Sequence, residues 1–198
     1  MPRKGRLLVI AVTGTPAAGK TSFAKDLAAA TGITPIEVND IVERDKLFSG
    51  VDQNGSKIVK MEELVREIED IENAEKASGR KAVILVGHLL ADLKLGYDIS
   101  VIVRSNLKDL VSRLEERDYQ REKVRENLVS ESIDYCGVQA AEKSKETYEV
   151  ETDAQKSEVA DYIKDVLSGK KASAPKLPAI NKMDEMLELV YEGNDYGL

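Results

Sequence analysis

The sequence reads GTPAAGKT from Gly14 to Thr21, one residue after the apolar run of residues 7–12. It fits the pattern G-x-x-x-x-G-K-[ST], in which glycines let the loop fold tightly and point its backbone N–H groups into one hollow. Lys20 would reach the β- and γ-phosphates of a nucleotide, and the Thr21 hydroxyl would ligate Mg²⁺. The motif follows a predicted buried strand and precedes a predicted helix, which is the structural context that a P-loop requires. The stretch predicts a P-loop that binds ATP or a close relative.

Strand and helix patterns alternate along the rest of the chain. Short apolar runs predict strands at residues 7–12, 33–38, 82–86, 99–103 and 147–150. Amphipathic or capped stretches predict helices at residues 20–30, 40–46, 61–77, 107–114, 122–142 and 154–167, and residues 49–56 read as a turn-rich loop. This alternation predicts an α/β fold, a three-layer P-loop NTPase fold whose parallel sheet of about five strands carries helices on both faces.

The 198 residues suffice for one compact domain, which we assign to residues 1–168. Residues 168–178 read SGKKASAPKLP, which is the composition of a linker. Residues 179–191 then place apolar side chains on one helical face. The segment 169–198 is therefore predicted to be a linker plus a C-terminal amphipathic helix, which either docks on the domain or binds a partner.

Charge and hydropathy restrict the class of protein. The formal net charge is -7, which argues against strong direct nucleic-acid binding because such binding needs a surplus of Lys and Arg. The apolar runs are too short to cross a bilayer, so no membrane partner is expected. The basic start leads directly into the P-loop and does not read as a removable signal. We expect an intracellular, cytoplasmic protein, or a nuclear one in a eukaryote, whose single cysteine, Cys136, is a buried thiol.

Five arginines follow the strand of residues 99–103. They are Arg104, Arg113, Arg117, Arg121 and Arg125, and the last four fall in two pairs spaced four apart. Residues at that spacing share a helix face, so the group could clamp phosphates. Glutamates interleave with them, and a solvated, salt-bridged helix face explains the spacing equally well.

Several separated motifs resemble one family. They are GTPAAGKTS, VNDIVERDKLFSG, Gly87-His88, YDISVIVR, RLEERDYQREKVRENLVSE and YEVETD, in this order over residues 7–167. This set resembles the adenylate-kinase-like family that includes the coilin-interacting nuclear ATPase and its archaeal relatives. The resemblance implies a small nucleotide kinase with ATPase activity. Several members bind a small-subunit ribosomal protein during ribosome maturation.

The resemblance also implies roles for single residues. Residues 39–60 would form a flap over the acceptor nucleotide, and residues 116–126 would form a short lid. The catalytic residues would be Lys20, His88 and Arg117. The residues that hold ATP would be Ala17, Gly19, Lys20, Thr21, Ser22, Arg117 and, near adenine, Gln155. The acceptor would be bound by Asp40, Arg44 and Arg113, and Mg²⁺ by Thr21 and Asp40.

Three positions depart from the family pattern. Ala17 stands where the family usually has glycine, which is tolerable only if that position does not need a positive φ. Glu43 stands where adenylate kinases often place an arginine, with Arg44 one position later. Val86 stands where the family often has an acidic residue, two before His88. Asp40 is the nearest substitute carboxylate that the sequence offers.

The function expected from the sequence is phosphoryl transfer from ATP, with Mg²⁺, to a nucleoside monophosphate such as AMP. One alternative is a nucleotide-gated ribosome-assembly ATPase that binds a small-subunit ribosomal protein. A further alternative is a small-metabolite kinase, because P-loop folds serve many acceptors.

Overall fold

The computed structural model describes residues 6–52 and 55–191. Its main sheet has five parallel strands in the order β2-β5-β1-β6-β7. These strands are β1 (Leu8–Thr13), β2 (Ile36–Glu37), β5 (Ala82–Val86), β6 (Tyr97–Val103) and β7 (Ser144–Val150). The remaining two, β3 (Phe48–Val51) and β4 (Lys57–Val59), form a separate antiparallel pair. The central strands β1, β5 and β6 are almost wholly buried, as expected of a parallel sheet covered on both faces.

Helices cover both faces of this sheet. They are α1 (Lys20–Thr31), α2 (Val38–Arg44), α3 (Met61–Ala77), α4 (Leu107–Glu115), α5 (Arg121–Ser132), α6 (Tyr135–Ala141), α7 (Asp153–Ser168) and α8 (Met183–Tyr191). A 3₁₀ turn, His88–Ala91, follows β5. One face packs against α1 and α7, through residues such as Phe23 and Ile163. The other packs against α2 and α3, through residues such as Ile41 and Leu64. The predicted fold class is confirmed.

The structure differs from the sequence-based elements in three places. The second strand is reduced to Ile36–Glu37, and α2 begins at once after it. Part of the predicted turn-rich loop is the β3–β4 hairpin, in which β3 alternates half-buried and exposed residues while β4 is exposed except for the half-buried Val59. The predicted helix at residues 122–142 is two helices, α5 and α6. They separate at Asp134, whose φ of +53° lies outside the right-handed helical region.

The C-terminal helix α8 packs against α4 and α5. Met186 and Leu189 are buried in a cluster with Leu107, Leu110 and Leu114. Lys182 is almost fully buried and donates hydrogen bonds to the carboxylates of Glu151 and Glu185. In the described residues α8 therefore lies against the body of the protein.

Among the residues that the structure describes, no helix combines the length and apolarity that a bilayer span requires.

Candidate phosphate and acceptor sites

The loop between β1 and α1 adopts the shape that its glycines permit. Gly14 has a φ of +133° and Gly19 a φ of +103°. A Cβ atom on Gly14 would lie 2.3 Å from the Val103 carbonyl oxygen, so no other residue fits there without a shift of the backbone. The Lys20 ammonium bridges the loop by donating to the carbonyl oxygens of Gly14 (2.9 Å) and Thr15 (2.8 Å).

Ala17 lies at the tip of this loop with a φ of +66°. The condition set from the sequence, that this position does not need a positive φ, is therefore not met. An alanine in the left-handed region carries a steric cost that glycine avoids. The Ala17 methyl group is buried in the cluster formed by Leu107, Leu110 and Leu114, and this packing offsets part of that cost.

A cavity of about 490 Å³ opens above the loop. Residues 16–22 line one side of it, together with Glu37, Asn39, Gly87, His88, Arg113, Arg117, Tyr119 and Lys156. Four of the described lining residues carry a positive charge: Lys20, Arg113, Arg117 and Lys156. Four cations over the N-terminus of α1 suit a polyphosphate, because the helix end adds its own partial positive charge.

Burial lowers the pKa of the Lys20 ammonium to about 8, while the Glu37 carboxylate acts in the opposite direction. Lys20 is thus charged at neutral pH, but it pays a desolvation penalty in this position. A bound phosphate would place a negative charge beside this desolvated ammonium group and accept charge-assisted hydrogen bonds from it.

A second cavity, of about 370 Å³, adjoins the first. The two share four lining residues: Pro16, Asn39, His88 and Tyr119. The β3–β4 hairpin and α2 cover the second cavity through Val59, Lys57 and Glu43. Lys57 pairs with Glu43 and lies 4.4 Å from the centre of the Phe48 ring. The cavity has the position expected of an acceptor site beside the phosphate site.

His88 lies where the two cavities meet. Burial, and then the charge of Lys20, lower the pKa of its imidazole to about 4. His88 is therefore neutral at physiological pH and offers a hydrogen bond without a net charge. The Cys136 thiol lines the second cavity, and burial raises its pKa to about 11, so it is protonated and a poor nucleophile.

The arginine group is divided by the structure. Arg113 and Arg117 line the phosphate cavity, and Arg113 also donates to the Ser105 hydroxyl (3.2 Å). Arg121 and Arg125 are exposed on α5. Arg104 is buried, and its role as a phosphate clamp is excluded because carboxylates surround it.

Through Arg104, those carboxylates connect the P-loop to the ends of β6 and β7 and to α5. Arg104 donates from Nε to Glu131 (2.9 Å) and from Nη1 to Asp134 (2.6 Å) and Glu149 (2.8 Å). The other oxygen of the Glu131 carboxylate accepts a 2.5 Å hydrogen bond from the Thr15 hydroxyl. Since every member is buried or half-buried, the network fixes the loop backbone at Thr15.

Two further residues of the expected site are engaged elsewhere. The Gln155 carboxamide oxygen accepts from the backbone N–H groups of Glu151 and Thr152 and so caps α7, while Lys156 beside it lines the phosphate cavity. Arg44 is an exposed residue that pairs with Asp45 and Glu67. The adenine contact of Gln155 and the acceptor contact of Arg44 therefore have no support in this geometry.

Oxygen donors that suit Mg²⁺ are present in the phosphate cavity. Thr21 contributes a hydroxyl and Glu37 a carboxylate, and Mg²⁺ prefers such hard oxygens while keeping water and phosphate ligands. Val86 is a fully buried aliphatic side chain and offers no ligand. Asp40 is exposed on α2, and the described cavity lining includes Glu37 and Asn39 instead of it.

Among the charged residues that line the two cavities, sequence reasoning named neither Glu37, Asp92 nor Lys156, and it included Lys123 only within the predicted lid, residues 116–126. For Glu37 a signal existed, because it ends a strand and ligands of open α/β sheets bind at the carboxyl ends of strands. The two lysines lie within charged helices, where nothing distinguishes them from their solvated neighbours.

A parallel sheet with a phosphate-binding loop at its carboxyl edge, next to a cavity, defines the class of P-loop nucleotide-binding proteins. Comparison with known proteins places the chain within that class. Residues 10–134 match a family described as "AAA domain". The chain is 35% identical to a Methanosarcina acetivorans protein named "Putative adenylate kinase", over 82% of this chain and 90% of that protein. It is 34% identical to a Methanocaldococcus jannaschii protein of the same name, over 82% and 87%.

Solved structures agree on the fold. A sugar kinase from Janibacter sp. HTCC2649 superposes with a TM-score of 0.57 at 12% identity, over 84% of this chain and 99% of that one. Shikimate kinase from Acinetobacter baumannii superposes with a TM-score of 0.50 at 18% identity, over 85% and 97%. The chain belongs to the adenylate-kinase-like family of P-loop proteins, as its motifs predicted.

Proposed function

We propose that this protein transfers the γ-phosphoryl group of ATP to a nucleoside monophosphate, with AMP as the acceptor. The observation that carries the proposal is the pair of adjoining cavities that share His88 and Tyr119. One contains the P-loop and four cations, and the other lies under a hairpin. The names of the archaeal relatives support the choice of AMP.

The residues would act mainly by positioning and by neutralising charge. The loop amides and Lys20 hold the β- and γ-phosphates, while Arg113 and Arg117 approach from α4 and the turn after it. Bound Mg²⁺ would neutralise phosphate oxygens further. Neutral His88, at the junction of the cavities, can hold a hydrogen bond to a phosphate or a water without repelling Lys20.

A coupled assay tests this function. Purified protein is incubated with ATP, Mg²⁺ and one acceptor from a panel of nucleoside monophosphates and small hydroxylated metabolites, and diphosphate formation is followed. We expect transfer to AMP, and a fall in kcat of at least about 100-fold in Lys20→Ala, because a charge that stabilises the transferred group is lost.

Lys25→Ala is the matched control, since Lys25 is an exposed lysine on the same helix. It should keep the wild-type rate. Transfer to a metabolite in place of AMP would support the small-metabolite alternative. Equal rates for Lys20→Ala and wild type would contradict the proposal. The ribosome-assembly role stays a prediction from the family resemblance.

A further inference from the structure

Glu37 occupies a defined position at the carboxyl edge of the sheet. It is the last residue of β2, and its Cα pairs in register with that of Val86, the last residue of β5. Val86 in turn pairs with Val12 of β1, just before the P-loop. Side chains that pair in register point to the same face of a sheet. Val86 packs against Phe23 and Ala24 of α1, so Glu37 projects on the face from which α1 begins.

The Glu37 carboxylate is available to a ligand in this position. Glu37 precedes α2 as its N-cap residue, yet within the described chain its side chain makes no capping hydrogen bond to that helix. It is half-buried and lines the phosphate cavity together with Lys20 and Thr21. Its carboxylate is also close enough to Lys20 to raise the pKa of that ammonium group.

The electrostatics of the cavity make this carboxylate unusual. Among the described lining residues, Glu37 is the one acidic side chain facing four cations. A carboxylate in a polyphosphate site repels the ligand unless a cation lies between them. Mg²⁺ is that kind of cation, because it is bound by one or two carboxylates and by substrate phosphates.

We propose that Glu37, together with the Thr21 hydroxyl, holds the Mg²⁺ that accompanies the bound nucleotide, an inference that rests on the proposed nucleotide function. The carboxylate is thereby supplied from β2, one strand away from the aliphatic Val86. In this arrangement Val86 remains a packing residue and Asp40 is not a metal ligand.

The test measures nucleotide affinity apart from catalysis. Calorimetry with the β,γ-imido analogue of ATP is carried out in EDTA and in Mg²⁺, on wild type, Glu37→Gln, Glu37→Asp and Glu62→Gln. Glu62 is an exposed residue of α3 and serves as the matched control. In Glu37→Gln we expect equal or tighter binding in EDTA, because a repulsive charge is gone. We also expect a loss of about 10-fold or more in the gain that Mg²⁺ confers.

Glu37→Asp should keep most of the Mg²⁺ effect, since it keeps the carboxylate, and Glu62→Gln should match wild type. A Glu37→Gln variant with the full Mg²⁺ gain would overturn the inference, and so would one that weakens binding equally in EDTA and in Mg²⁺. Either result leaves the proposed function standing, because the wild type still binds the nucleotide analogue. Failure of the wild type to bind the analogue would instead overturn the proposed function itself.

Discussion

Ala17 illustrates how one residue balances opposing free energies within the P-loop. Its φ of +66° carries a steric cost of about 1–2 kcal/mol for a residue with a Cβ atom. Replacement by glycine would remove this cost but would lose about 0.8 kcal/mol of methyl burial. It would also add about 0.5–1 kcal/mol of chain entropy to the unfolded state. These contributions nearly cancel, which explains how alanine is accommodated where the family usually has glycine.

Ala17→Gly is therefore expected to leave the free energy of unfolding within about 1 kcal/mol of wild type. Ala18→Gly is the matched control, because Ala18 is equally buried but has no positive φ to relieve. It should destabilise the protein by about 1–2 kcal/mol. Urea denaturation measures the free energy of unfolding of both variants. Equal losses in both would show that the backbone of Ala17 is not strained.

At the scale of elements, the Arg104 network joins the P-loop, β6, α5 and β7. Glu131 is its centre, since it accepts from Arg104, from the Ser105 backbone N–H (3.2 Å) and from the Thr15 hydroxyl. Removing one partner of such a buried set leaves charge and donors without compensation, which costs more than an exposed pair contributes.

Glu131→Ala is expected to lower the free energy of unfolding by about 3 kcal/mol, measured by urea denaturation. Glu122→Ala, on the exposed side of the same helix, should cost at most about 0.5 kcal/mol. Similar small losses in both variants would mean that Asp134 and Glu149 alone compensate Arg104.

At the scale of the whole molecule, α8 packs against the helical layer formed by α4 and α5. Glu185 of α8 accepts a 2.9 Å hydrogen bond from the backbone N–H of Leu107, at the first turn of α4. Lys182 spans the distance from α8 to the end of β7 by pairing with Glu151. These hydrogen bonds and the buried apolar residues thus hold α8 against α4, α5 and the end of β7.

Leu189→Ala should destabilise the protein by about 2 kcal/mol, because it removes a side chain that is only 4% exposed in the α8 interface. Leu187→Ala makes the same change on the same helix at a residue that is 48% exposed, and should cost less than about 0.5 kcal/mol. Thermal unfolding monitored by circular dichroism compares the two. Identical melting temperatures would indicate that α8 does not dock in solution.

Local patterns were sufficient for much of the fold. The apolar runs of β1, β5 and β6 indicate burial on both faces of the sheet. The Asn106 side chain caps α4 by accepting hydrogen bonds from the backbone N–H groups of Lys108 and Asp109. The break between α5 and α6 could not be predicted from the sequence. Asp134 leaves the helical region and pairs with Arg104, a residue thirty positions earlier that local patterns do not connect to it. The β3–β4 hairpin was missed because its short strands lie among turn-forming residues.

The sequence by itself determined the P-loop, the parallel sheet and the family, because each depends on residues that are neighbours along the chain or repeat at a fixed period. Only the tertiary structure decided which charged side chains reach the cavity. Arg117 lines it and Arg104 does not, and Glu37 lines it in place of Asp40. The physical reason is that strand register and packing between distant elements set the environment of a charge, and a charged side chain carries no local signal of that environment.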